Sequence, residues 1–246
     1  MGQIIVAGGA TGIGRAAVCG FRARGDNVLL VDHRPEAAEL LAEDAPGALR
    51  LLARDVGEAD APAAAVDRAI AEFGALDSVL VTSALMLSAP LADWTPAMWD
   101  QSVALNLRMP FFLIQAAAPH LARSDNASVT LISSTAALRG QPGVAAYQAT
   151  KAALPALCRS LTAELGPLGI RINTLMPGWI DTPFSNAFWA QQEDPAVSRA
   201  AVEQQIPLRR QGEADEVAAM ILFLASPAGR YVAGTSIVID GGYTAV

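Results

Sequence analysis

Seven short runs rich in Val, Ile and Leu, separated by helix-length stretches, constrain this chain more than any other feature of its sequence. They are QIIVA (3–7), NVLLV (27–31), ALRLLA (48–53), SVLVT (78–82), SVTLIS (128–133), IRINTLM (170–176) and SIVID (236–240). The later runs are nearly continuous in apolar residues, as strands are when helices cover both faces of their sheet. Alternating strands and helices predict a parallel sheet with right-handed crossovers, and ligands then bind beyond the carboxyl ends of the strands. A chain of 246 residues, 52% hydrophobic and 17% charged, is enough for one such α/β domain around a large core.

Several function classes drop out early. The formal net charge is −7 with no cluster of Lys and Arg, which speaks against a nucleic-acid footprint. No apolar run reaches membrane-spanning length. Cys19 and Cys158 lie in apolar helical patterns without metal-ligand spacing and read as buried thiols of a reducing compartment. With only His33 and His120 present, neither a histidine metal site nor a Ser-His-Asp triad is expected. The first strand begins at residue 3, leaving no room for a targeting segment, so a cytoplasmic protein is expected. Residues 184–210 read as irregular, mixed in polarity and interrupted by prolines.

The stretch VAGGATGIGRAA places Gly8 directly after the first strand and Gly12 and Gly14 at the start of the next helix. Backbone amides in such a turn can approach a pyrophosphate, and the helix N-terminus faces its charge. Asp32, at the end of the second strand, is placed to hydrogen-bond adenosine ribose hydroxyls and to repel a 2′-phosphate, which favours NAD over NADP. Arg34 follows closely; it is either a residue that accommodates a 2′-phosphate or a solvated loop cation. After the third strand, Asp55 could accept from an adenine amino group while Val56 covers the ring; alone, Asp55 reads equally as a turn residue.

The segment LISSTAALRGQPGVAAYQATK brings Ser134 to the end of the fifth strand and Tyr147 to the start of a long helix. Lys151 lies four residues beyond Tyr147, on the same helical face. Hydride transfer at carbon requires a proton to leave or join the adjoining oxygen, so an acid/base and a donor to that oxygen are needed. A phenol has a pKa near 10, and a neighbouring ammonium lowers it by favouring the phenolate.

These residues, in this order, resemble the short-chain dehydrogenase/reductase family over essentially the whole chain. The family's Gly-x-x-x-Gly-x-Gly turn matches Gly8, Gly12 and Gly14, and its Tyr-x-x-x-Lys motif matches Tyr147 and Lys151. The resemblance implies a single-domain Rossmann fold over residues 1–246, a doubly wound seven-stranded parallel sheet with helices on both faces. It implies Tyr147 as acid/base, Lys151 as the group that lowers its pKa and binds the nicotinamide ribose, and Ser134 as the holder of the substrate oxygen. Asn106 would position a water that links Lys151 to solvent. Ile13 would join the glycine turn in cofactor binding, as would Pro177, Gly178, Ile180 and Thr182 of MPGWIDTPF, with Thr182 at the nicotinamide carboxamide. A substrate-binding lid over about 184–210 and a homotetramer are likewise implied. So is a pocket lining of Ala136, Leu138, Val144, Trp179, Phe184, Phe188 and Trp189, suited to a ketone or alicyclic alcohol.

Two departures from the family stand out. Ala7 replaces the usual threonine before the turn, and Val81-Thr82-Ser83-Ala84 replaces Asn-Asn-Ala-Gly after the fourth strand. The leading expectation is an NAD-dependent secondary-alcohol dehydrogenase or ketone reductase. An NADPH-dependent 3-oxoacyl-acyl-carrier-protein reductase and a non-catalytic dinucleotide-binding regulator stand as alternatives.

Overall fold

The structure is a computed structural model that describes residues 1–246. Its strands are β1 (Gln3–Ala7), β2 (Asn27–Val31), β3 (Leu49–Leu52), β4 (Ser78–Val81), β5 (Ser128–Ile132), β6 (Arg171–Pro177) and β7 (Ser236–Ile239). All seven predicted strands form, each with its ends within one residue of those expected. They make one parallel sheet in the order β3-β2-β1-β4-β5-β6-β7. The order reverses between β1 and β4, which opens a crevice at their carboxyl ends where ligands bind in such folds.

Each strand divides its side chains between two cores, because successive residues point to opposite faces. Ile5, Leu29, Val79, Val129 and Leu131 face one side, where they meet α2 (Ala61–Phe73), α4 (Met109–Leu121) and α5 (Ala145–Leu165). The intervening Ile4, Val6, Val28, Leu30 and Leu80 face the other, against α1 (Gly12–Ala23) and α8 (Ala214–Leu224). Phe21 of α1 is fully buried in that second core, and such a side chain contributes about 1.5–3 kcal/mol by leaving water. Cys158 is buried, but Cys19 is only half-buried, its thiol directed at the Glu43 carboxylate at 3.7 Å. The expectation of two buried thiols therefore holds for one of them.

Residues 184–210 are not irregular. Most of the segment lies in two helices, α6 (Pro183–Trp189) and α7 (Pro195–Gln205). Of the two prolines read as interruptions, Pro195 sits in the first turn of α7, where a missing N–H costs nothing, and Pro207 lies beyond the end of that helix; Pro183 likewise opens α6. The hydroxyl of Thr182 and the carboxylate of Asp194 accept from backbone N–H groups and cap these helices. In the chain between β4 and β5 comes α3 (Pro96–Val103), which runs through a π-helical turn at Ala104–Arg108 into α4. No helix is long and apolar enough to cross a membrane.

Candidate active site

A cavity of about 1060 Å³ runs along the carboxyl edge of the sheet. Every sequence-predicted site residue except Asn106 lines it: Gly8, Gly12, Ile13, Gly14, Asp32, Asp55, Val56, Ser134, Tyr147, Lys151, Pro177, Gly178, Ile180 and Thr182.

At one end, the β1–α1 turn is shaped by close backbone approach. Gly8 has a φ of +84°, and a Cβ there would come within 2.6 Å of the Ser83 amide nitrogen. A methyl group on Gly14 would overlap the Gly8 carbonyl oxygen. The first turn of α1 holds no acidic residue, and Thr11 at its cap gives its N–H groups no side-chain acceptor. These exposed donors and the helix dipole fit a dinucleotide pyrophosphate.

The substituted segment after β4 supports this turn by new means. Thr82 donates its hydroxyl to the Gly8 carbonyl, and the Thr82 and Ser83 amides both donate to the Ala7 carbonyl at 3.0 Å. The Ser83 hydroxyl is buried with no hydrogen-bond partner.

Asp32 is 3% exposed, and its carboxylate is already engaged. One oxygen accepts from the amides of Gly9 at 3.1 Å and Ala10 at 3.0 Å. The other accepts from the Arg34 amide at 3.1 Å and faces its guanidinium at 3.5 Å. Arg34 also donates to the Thr11 hydroxyl at 3.0 Å, and it lines the cleft while remaining exposed to solvent. Asp55 is exposed and accepts from the Gly57 amide at 2.8 Å, while Val56 beside it is buried.

The other end gathers Ser134, Tyr147 and Lys151. Ser134 caps a short 3₁₀ turn just beyond β5, accepting from the Ala136 amide at 3.1 Å. Tyr147 and Lys151 project from the first two turns of α5, both buried. The Lys151 ammonium donates to the Ile132 carbonyl at 2.6 Å and lies 5.8 Å from the centre of the Tyr147 ring. Burial pushes the Tyr147 phenol up to about 12, with its hydrogen bond to Ser134 acting in the opposite direction. Burial pushes Lys151 down to about 7. In the protein alone, loss of hydration opposes the charged form of both groups.

Asn106 stands behind this cluster in the π-helical turn. Its side chain accepts from the Leu85 amide at 2.8 Å and donates to the Leu85 carbonyl at 2.8 Å and to the Thr150 hydroxyl at 3.1 Å. It clamps the chain after β4 to α5. Thr182 closes the front of the cleft: its side chain would contact a Cβ on Gly12 at 3.1 Å, and its hydroxyl caps α6.

Of the expected pocket wall, Ala136, Trp179, Phe184, Phe188 and Trp189 line the cavity. Leu138 instead points to solvent, 56% exposed, and Val144 is packed away at 1%. Trp179 stacks on Trp189 with ring centres 4.5 Å apart, and Phe184 lies 6.1 Å from Tyr147. The sequence reading missed Met86, Arg139 and Tyr243, which also line the cavity. Only Arg139 left a signal, as a cation between Ser134 and Tyr147 in the chain.

The chain is similar over nearly its whole length to known oxidoreductases. A family model described as enoyl-(acyl carrier protein) reductase matches residues 8–244. A probable galactose dehydrogenase of Rhizobium meliloti is 34% identical over 243 residues, covering 97% of this chain and 93% of that protein. A 3-oxoacyl-acyl-carrier-protein reductase of Thermotoga maritima is 31% identical over 241 residues, covering 97% and 96%. Among solved structures, a short-chain dehydrogenase/reductase from Serratia marcescens matches with a TM-score of 0.88 at 29% identity, covering 98% of this chain and 97% of that one.

Proposed function

The chain belongs to the short-chain dehydrogenase/reductase family, oxidoreductases that use a nicotinamide dinucleotide, and we propose that it interconverts a secondary alcohol and a ketone with NAD(H). The observation that carries this reading is the meeting of Ser134, Tyr147 and Lys151 in one cavity with the glycine turn. The turn amides and the N-terminus of α1 would hold the pyrophosphate, and Asp32 would face the adenosine ribose. Asp55, Val56, Ile13 and the Pro177–Thr182 segment would complete the dinucleotide contacts. When bound, the nicotinamide supplies the hydride acceptor or donor.

The protein's own residues supply proton chemistry and position. Tyr147 takes the proton from the alcohol oxygen in oxidation and returns it in reduction. Ser134 holds that oxygen by hydrogen bonding, so that charge developing on it meets a fixed donor. Lys151, charged, favours the phenolate, and Asn106 supports the proton route by fixing the Leu85 backbone beside α5. The aromatic wall of Trp179, Phe184 and Phe188 excludes water from an apolar substrate. Residues 183–205 form the lid over it, and the whole chain acts as one dinucleotide-binding and catalytic domain. A homotetramer acting in the cytoplasm belongs to the same proposal.

A second reading, an NADPH-dependent reductase, is favoured by one observation. Arg34 lies between Asp32 and Thr11 at the edge of the cleft, where it could meet a 2′-phosphate. Calorimetric titration with NADH and with NADPH separates the two. Tighter NADH binding supports the first reading, tighter NADPH binding the second, and binding of neither sinks both.

A further inference from the structure

We infer that Arg139 is a carboxylate anchor, and that the alcohol or ketone handled by this protein carries an anionic group beyond an apolar body. The inference rests on the oxidoreductase reading above and deepens it. Charge is divided unevenly along the cavity. Its two carboxylates, Asp32 and Asp55, both lie beyond β2 and β3, where Arg34 faces Asp32. At the opposite end, where β5 and α5 deliver Ser134 and Tyr147, no Asp or Glu lines the wall, and the cations are Lys151 and Arg139. Lys151 is committed to the Ile132 carbonyl.

Arg139 is held in place without being neutralised. Its carbonyl accepts from the Gln148 side chain at 2.5 Å, which ties its loop to the residue next to Tyr147. Its guanidinium lies over the Tyr243 ring, 4.2 Å from the centre, and one nitrogen donates to the Tyr243 carbonyl at 3.2 Å. It forms no ion pair with any Asp or Glu, in a chain with 24 acidic and 17 basic side chains. A guanidinium carries five donors in a planar fork that matches a carboxylate. Stacking and one hydrogen bond orient that fork and leave most of its donors free. Phe184, 6.1 Å from Tyr147, and Trp179 give the same cavity an apolar wall, so a substrate with a hydroxyl at one end and a carboxylate at the other suits the site.

The test is a calorimetric titration with cyclohexanecarboxylate and with cyclohexanecarboxamide, which share a body and differ in charge. It is run on the free protein and on protein saturated with whichever dinucleotide it binds. The wild type is expected to prefer the acid by roughly tenfold or more, as a charge-assisted bidentate contact implies. Arg139→Gln should erase that preference, and Arg139→Lys should retain part of it. Equal binding of acid and amide, binding of neither, or a preference that survives in Arg139→Gln overturns the inference. Failure of the oxidoreductase reading looks different: no secondary alcohol is oxidised with either dinucleotide, while the acid preference and its loss in Arg139→Gln persist.

Discussion

The Lys151 ammonium donates to the main-chain carbonyl of Ile132 at 2.6 Å, not to the Tyr147 phenol four residues before it. Both groups are buried, and each is pushed toward its neutral form, Lys151 to about 7 and Tyr147 to about 12. For Lys151 the folded value lies below the ordinary value of 10.5. Between those two pH values the unfolded chain binds more protons, so stability rises with pH across the window and is lost as pH falls through about 7. The slope from one group is at most about 1.4 kcal/mol per pH unit. In cofactor-free protein, Lys151→Met should therefore be more stable than wild type near pH 7, with the advantage shrinking toward pH 10. Melting temperatures measured across that range check this; a constant difference would refute the buried-ammonium account. Above pH 10 Tyr147 acts in the opposite sense, because the folded state then retains a proton that the unfolded chain releases.

Tyr147→Phe removes only the hydroxyl, and the ring keeps its packing beside Phe184. Turnover of any secondary alcohol should fall below detection, while NADH affinity changes by no more than about twofold. Ser134→Ala should leave residual activity, with kcat reduced roughly 10²- to 10³-fold, the usual cost of losing one donor to a reacting oxygen. Initial rates alongside NADH titrations test both; Tyr147→Phe with substantial activity would assign the acid/base role elsewhere.

Because Asp32 accepts from the Gly9 and Ala10 amides, it braces the glycine turn as well as facing the cleft. Asp32→Ala should thus do more than relax the choice of dinucleotide. It should destabilise the fold by about 3 kcal/mol, since two buried N–H groups lose a charged acceptor, and weaken NADH and NADPH binding together. Arg34→Ala spares the brace and removes the facing cation, so it should shift preference toward NADH. Thermal denaturation and paired titrations read both effects. A clean switch to NADPH in Asp32→Ala, with stability unchanged, would show that the brace contributes nothing.

Thr82 replaces a family asparagine and donates its hydroxyl to the Gly8 carbonyl. Thr82→Val keeps the side chain's shape and leaves that carbonyl without this donor. A loss of about 1 kcal/mol in stability is expected, with weaker NADH binding as the turn loosens. Chemical denaturation and calorimetry measure the two; unchanged values would mean that the neighbouring amide bonds to Ala7 hold the turn alone.

How much of this was legible in the sequence depended on how local each cause is. Apolar runs of five to seven residues located all seven strands, and the glycine turn and the spacing of Ser134, Tyr147 and Lys151 located the two ends of the cleft. The helices within 184–210 were misread because Pro195 looks like a break in a one-dimensional pattern, whereas a proline in the first helical turn is compatible with a helix.

The sequence by itself determined the parallel sheet, the glycine-rich turn and the placing of Ser134, Tyr147 and Lys151 at the sheet's carboxyl edge, because each follows from short-range periodicity and backbone sterics, while the resemblance supplied most other cleft residues. Only the tertiary structure decided the burial of Tyr147 and Lys151, the double engagement of Asp32, the support of Gly8 by Thr82 and the approach of Arg139 to Tyr243. The physical reason is distance along the chain: 23 residues separate Gly9 from Asp32, 74 separate Gly8 from Thr82, and 104 separate Arg139 from Tyr243. Hydrogen bonding and desolvation depend on which atoms meet in space, and those meetings exist only once the sheet has assembled.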